Sequence, residues 1–417
     1  MRTNLNEFQK SFLNSDYEER TITTREELEE YLKFRTENDL VISCPINSLS
    51  AAGIENIPLF VQEYLDSMQA SVNGYKEECD TLDYNEREVK ECIDQTGLFL
   101  IVPYNNFEKR ICKNMAFPTS EYAVSTILNR CDDFCGTMAR FEPKTHKKVL
   151  PVSEKAMRIT RDFELYSDDC LVLIRDRKVR AVHSRFYDWL NAEDLLRELE
   201  NVLYDEHPDF KFQSATITHE YLSVNYMLND MMMEESLKMA LNDQGSSIKE
   251  LKAGVQFITS DIGISSVKTN IILVVDDETI VLGGIDMPHK NGASIEGFAD
   301  RLKDFGNILK EQEEKIENLG NIEITDVSFV VKEIVEHYSS IFPTQVAESV
   351  IDSLKIEFPI SVGGSAIDVY LALFEIINRH KTNSNMSLNR YIFLTDQISG
   401  MINLPFKKIE EGNYFKK

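Results

Sequence analysis

The side chains best suited to chemistry lie between Arg140 and Trp189. From Arg140 to Arg185 the chain carries twelve basic and seven acidic residues, a local cationic excess inside a protein of net charge −25. Phe186, Tyr187 and Trp189, the single tryptophan, follow at once. Cations beside aromatic rings can hold phosphates while bases stack, so Arg175, Arg177, Lys178, Arg180, Arg185, Tyr187 and Trp189 form a candidate single-strand nucleic-acid face. The same residues also fit a solvated hairpin edge blunted by Lys and Arg, with Trp189 in the core. A second candidate is the polar loop holding Ser260, Asp261, Gly263, Ser265 and Ser266.

Other chemistry is thinly supported. Cys131 and Cys135 have a zinc-like spacing without a second pair further along, and Asp286 and His289 lack a third ligand nearby in sequence. His219-Glu220 lacks the second histidine of a zinc helix. Ser246-Ser247-Ile248-Lys249 matches a short nucleophile pattern without its companion motifs. Gly363-Gly364-Ser365 precedes a helix and reads either as an anion cradle or as a turn with an N-cap. The sequence holds no P-loop, no Gly-x-Gly-x-x-Gly and no Gly-x-Ser-x-Gly. It therefore implies no cofactor and no metal, and no catalytic constellation supports an enzyme.

The elements that must position these residues are read from periodicity. Val267, Thr269, Ile271, Leu273 and Val275 share one strand face, with Lys268 and Asn270 on the other. Gly254–Ser260 precedes that strand and Thr279–Ile285 follows it. Ile295, Phe298, Leu302, Phe305, Leu309, Ile316 and Leu319 predict one long helix capped by Ser294. Hairpins are expected at 169–184 and 212–226, and helices at 24–32 and 191–203, the former opened by a Thr24-x-x-Glu27 box. One or two long, largely exposed helices are expected over 57–95 and a helix over 122–138. Met231 to Ser247 reads as a mobile insertion. Four further helices are expected over 327–338, 344–354, 366–380 and 388–402, the third apolar nearly all round and hence buried.

Strands and helices mix without regular alternation, which points to an α+β fold. The expected form is a central mixed or antiparallel sheet covered by helices, with a C-terminal all-helical segment. The expected divisions are an N-terminal α/β region (1–117), a central α+β domain (118–320) and a C-terminal helical bundle or cap (321–417).

Composition sets outer limits. Hydrophobic residues at 42% and charged residues at 28% are ordinary for a globular chain. No apolar run reaches the roughly 18–20 residues of a membrane span, and the N-terminus lacks the apolar stretch of a secretory signal. A cytoplasmic protein of a bacterial host is expected, with no membrane partner. The seven cysteines, Cys44, Cys79, Cys92, Cys112, Cys131, Cys135 and Cys170, are then expected as free thiols. An excess of 70 acidic over 45 basic residues opposes nucleic-acid binding over the whole surface.

Arg180-Ala181-Val182-His183-Ser184-Arg185-Phe186-Tyr187 with the helix after it, Gly254 to Ser266, and Ser365 to Ala372 together resemble a phage- and plasmid-borne family catalogued as domain of unknown function number 932. The resemblance covers about residues 165–400. Leu282-Gly283-Gly284-Ile285 stands where that family carries an Arg-x-x-Cys-x-Asn-Gly segment. The resemblance implies a mobile-element origin and assigns no activity. Two functions stay open beside an enzyme: association with single-stranded DNA or RNA through the basic stretch, and an acidic module that binds a basic host or phage protein.

Overall fold

The computed structural model describes residues 19–52, 99–106, 111–119, 123, 126, 152–175, 178–218, 220–243, 248–276, 278–290, 292–384, 386–412 and 414–415. The expected helices over 57–95 lie outside them, as does nearly all of 122–138.

Strands β1 (Arg20–Ile22), β8 (Lys211–Ile217), β9 (Leu222–Met227), β10 (Leu251–Thr259), β11 (Val267–Val275) and β12 (Glu278–Met287) form a six-stranded antiparallel sheet in that order. Strands β2 (Leu40–Pro45), β6 (Asp169–Arg175) and β7 (Lys178–Ser184) make a smaller sheet, and β3 (Ser50–Ala52), β4 (Phe99–Asn106) and β5 (Ile111–Pro118) another. The helices are α1 (Arg25–Asn38), α2 (Val152–Phe163), α3 (Ala192–Glu206), α4 (Met231–Asp243), α5 (Ile295–Leu302), α6 (Phe305–Gly320), α7 (Val327–His337), α8 (Thr344–Glu357), α9 (Ala366–Asn383), α10 (Leu388–Ser399) and α11 (Phe406–Glu410). The protein is α+β.

The large sheet is covered on both faces. On one face Phe257 meets Phe298 of α5 edge to face, with Val255 and Ile271 buried beside them. On the other, Lys268 pairs with Asp396 of α10, and Ile258 packs with Leu388 and Ile392. The Tyr370 hydroxyl of α9 donates to the Val281 carbonyl of β12. One apolar cluster runs from Ile22 to Ile409, so the C-terminal helices cap the sheet and share its core.

The local signals behave as their chemistry demands. Thr24, Asn191, Ser294 and Ser387 each accept a first-turn N–H. Asp368 accepts from both the backbone and the hydroxyl of Ser365, so Gly363-Gly364-Ser365 is a helix start whose donors are already used.

Two expectations are corrected. Met231 to Asp243 is helix rather than mobile insertion. Asp230 caps it at Met233 N, Leu237 and Leu241 are buried one turn apart, and Glu234 accepts from Ala253 N of β10. Its exposed methionines (Met232 is 86% exposed) hid that apolar stripe. The long helix after Ser294 is also two helices. The break at Lys303-Asp304 turns α6 so that it packs against α4 and α9.

Candidate functional site

Beyond β10 the chain turns sharply through Ser260 to Ser266. Ser260 O accepts from Gly263 N (3.3 Å), and Ser260 Oγ accepts from Ile264 N (3.3 Å). Gly263 has φ of 78°, and a Cβ there would lie 3.2 Å from His183 Cε1, so both conformation and space call for glycine.

Three parallel rings brace this loop. His183 at the end of β7 stacks on Tyr187 (centroids 3.8 Å, 6°), and Tyr187 stacks on His289 beyond β12 (5.2 Å, 7°). Each ring is also hydrogen-bonded. His183 Nε2 donates to Asp261 O at 3.0 Å, and Tyr187 Oη to Ser260 O at 3.0 Å. His289 Nδ1 lies 3.3 Å from Asp188 O, and its Nε2 lies 3.3 Å from Thr259 Oγ1. A carbonyl only accepts, so Nδ1 carries the proton and Nε2 accepts from the threonine. Burial pushes the His289 imidazole below its usual range, against the opposing pull of Asp188 and Asp261. With both nitrogens engaged and no charge, His289 holds the loop rather than moving protons. Asp188 completes the brace by accepting from Gly292 N (2.9 Å) and Ala293 N (2.8 Å).

Behind the loop lies a buried ion cluster. Arg175 Nη2 binds Asp39 Oδ2 (2.6 Å) and Asp261 Oδ2 (2.8 Å), and Arg35 binds the same Asp261 oxygen. Two guanidiniums face two carboxylates, so the cluster is neutral. Burial alone would push the Asp261 carboxyl up, but Arg35 and Arg175 outweigh it and hold it below the usual carboxylate range. Burial likewise disfavours the Arg175 cation, and Asp261 and Asp39 more than restore it.

The expected positive face is therefore corrected. Arg175, Lys178 and Arg180 are only 8%, 1% and 1% exposed, and Arg175 is spent on the ion cluster. The hairpin is not an open edge: β7 pairs with β6 on one side and bridges Thr119 on the other. Arg177 lies outside the described residues. Trp189 is half-buried against Leu173, Ala181 and Ile262. Tyr187 belongs to the ring stack. Among the described members of that face only Arg185 stands in solvent, its guanidinium 4.7 Å over the Phe186 ring.

The ring stack and the Ser260–Ser266 loop border a cavity of about 580 Å³ whose lining includes Ser184, Phe186, Ser265, Ser266, His289 and Lys290. A β-bridge between Tyr187 and Lys290 sets the exposed Lys290 at the cavity beside the Arg185 segment. The structure thus joins the Ser260–Ser266 loop to the end of the basic stretch and adds His183, His289 and Lys290. His289 and Lys290 are remote in sequence from Arg185, and the sequence marks His289 only through its spacing from Asp286.

Cys131, Cys135, His219 and the Ser246-Ser247 pair lie outside the described residues. Among the described residues no three His, Cys, Asp or Glu side chains could hold a metal ion, and no helix is long and apolar enough to cross a membrane. No family model, no curated protein and no solved structure matches the chain.

Proposed function

We propose that the protein binds single-stranded nucleic acid at the cavity between β7 and the Ser260–Ser266 loop. One observation carries this reading: Phe186 is 62% exposed with Arg185 stacked over it, and it lines a cavity together with Lys290 and three serines. An exposed ring offers a base a stacking surface, and the two cations meet phosphates. The volume falls within the ~300–1,000 Å³ of small-ligand pockets, room for a nucleotide. The overall charge of −25 repels a long polyanion and restricts contact to a few phosphates.

Fluorescence anisotropy with a labelled oligonucleotide at low salt tests it. Single strands are expected to bind more tightly than duplex, and Phe186→Ala to weaken binding by ~1–3 kcal/mol. No binding at low salt, or an unchanged Phe186→Ala affinity, overturns the reading. The phage or plasmid origin implied by the family resemblance belongs to the same proposal. Replication or recombination genes beside this one would support it.

A second reading, docking of a basic protein, rests on a separate cavity of about 520 Å³ lined by Glu206, Asp230, Glu313 and Glu317 among others. Burial first, then Glu317 and Asp230, raises the Glu313 carboxyl above its usual range. A cationic partner would relieve that crowding. Co-purification of a basic protein that is lost with Glu313→Gln/Glu317→Gln would favour it, and retention of that partner by the variant would count against it.

A further inference from the structure

We propose that Cys44 and Cys170 form a site of reversible oxidation, a dithiol that closes to a cross-strand disulfide. This rests on the geometry of the small sheet and stands apart from the nucleic-acid reading.

Cys44 on β2 and Cys170 on β6 are directly opposite partners in the antiparallel ladder. Their sulfurs lie 4.0 Å apart, and the Cys170 thiol also reaches Cys44 O at 3.3 Å. Neither is in a disulfide, and both are buried. Facing residues of an antiparallel pair hold their Cβ atoms about 4.5–5.5 Å apart, against roughly 3.5–4.5 Å in a disulfide. Closure therefore asks β2 to approach β6 by about an ångström. Among the described residues β2 is the outer strand of its sheet, with β6 as its one strand partner, and can make that shift.

The same edge position supplies access. Leu40 and Val41 at the start of β2 are exposed, and edge strands without strong apolar cover open locally. A small oxidant then reaches both sulfurs. The hydrogen bond from Cys170, aided by Ser48, lowers the Cys44 thiol below the usual value despite burial, which suits Cys44 to the attacking role.

With a peroxide as oxidant the steps balance. The Cys44 thiolate attacks one oxygen, the O–O bond breaks, and Cys44 becomes a sulfenic acid as hydroxide leaves. The Cys170 sulfur attacks that sulfenic sulfur, the S–S bond forms and water leaves. Two thiols have lost two electrons and two protons, and one peroxide has become two waters.

Placement gives the bond a consequence. Cys170 also faces Ser184 of β7, so Cys44, Cys170 and Ser184 form one row across the sheet, and Ser184 lines the candidate cavity. The staple would form one strand away from that cavity.

The test treats reduced full-length protein with hydrogen peroxide, blocks remaining thiols, and maps digested peptides without reduction. The expected result is a peptide linking Cys44 to Cys170, released by dithiothreitol and absent from Cys44→Ser and Cys170→Ser. Recovery of both residues as blocked thiols, or of either joined to another cysteine, overturns the proposal. A variant with Cys79, Cys92, Cys112, Cys131 and Cys135 changed to Ser gives a second readout. Oxidation should leave it monomeric and lighter by two hydrogens, whereas unchanged mass or a disulfide-linked dimer contradicts the site. The peptide map of the parent decides the matter even where that variant does not fold.

Discussion

Arg175 and Arg185 flank one hairpin and have opposite fates. Arg175 turns inward, is matched by Asp39 and Asp261, and ties β6 to α1 and to the Ser260–Ser266 loop. Arg185 leaves the same hairpin into solvent and stacks on Phe186. Residue type and local sequence are alike, and distant partners make the difference. A buried arginine with two carboxylates is part of the framework, whereas an exposed arginine on an exposed ring is free to meet a ligand. A run of basic residues therefore marks neither a surface nor a core until its partners are known.

The comparison rests first on an intact framework, where the largest effects are expected. Ile271→Asp and Phe298→Asp each place an unpaired charge in the sheet core. Each should cost several kcal/mol, comparable with the ~5–15 kcal/mol stability of a domain. Soluble variants with unchanged melting temperature would contradict the packing of α5 on β10 and β11.

The two arginines come next. Arg175→Ala leaves Asp39 and Asp261 short of a buried cation and should cost ~3–5 kcal/mol in urea denaturation. Arg185→Ala should stay within about 0.5 kcal/mol of the parent. Equal losses would erase the distinction between them. Trp189→Ala, at a half-buried ring packed on Ile262, should lower stability and leave oligonucleotide affinity per folded molecule unchanged.

Acid offers a finer test. Burial lowers the His289 pKa from its usual 6.5, so the unfolded chain binds the proton more readily than the folded one. Stability from this residue is whole above about 6.5 and falls as pH drops through 6.5 toward the folded value. Asp261 is lowered from 3.8 by Arg35 and Arg175, so its contribution persists above 3.8 and is lost below it. Denaturation midpoints against pH should show one decline below about 6.5 and a second below 3.8. His289→Gln should remove the first step alone, and a profile still declining between pH 6.5 and 3.8 as in the parent would sink that assignment.

Much of the framework was legible because its causes are local. Alternation from Val267 to Val275 marks β11, Ser294 and Asn191 mark helix starts, and the all-round apolar surface of Ala366–His380 marks a buried helix. Lys268 and Asn270 sit on the second face of β11, where α10 covers the sheet and supplies Asp396 to Lys268, a pairing 128 residues apart that local alternation does not reveal. Half of the candidate site was legible too, in Arg185, Tyr187 and the Ser260–Ser266 loop. The rest was not, because its partners are remote. Asp39 and Arg175 are 136 residues apart, Arg175 and Asp261 86, and His289 and Asp188 101. No spacing rule reaches across such separations.

The most direct test of the binding account is the salt dependence of single-strand affinity for the parent and for Arg185→Glu/Lys290→Glu. Two phosphate contacts at roughly 0.7 each predict a parent slope of log K against log salt near −1.4. The double variant, with the framework and Phe186 untouched, should bind weakly with a slope near zero. A double variant that keeps the parent's affinity and slope would show that these two cations do not meet nucleic acid.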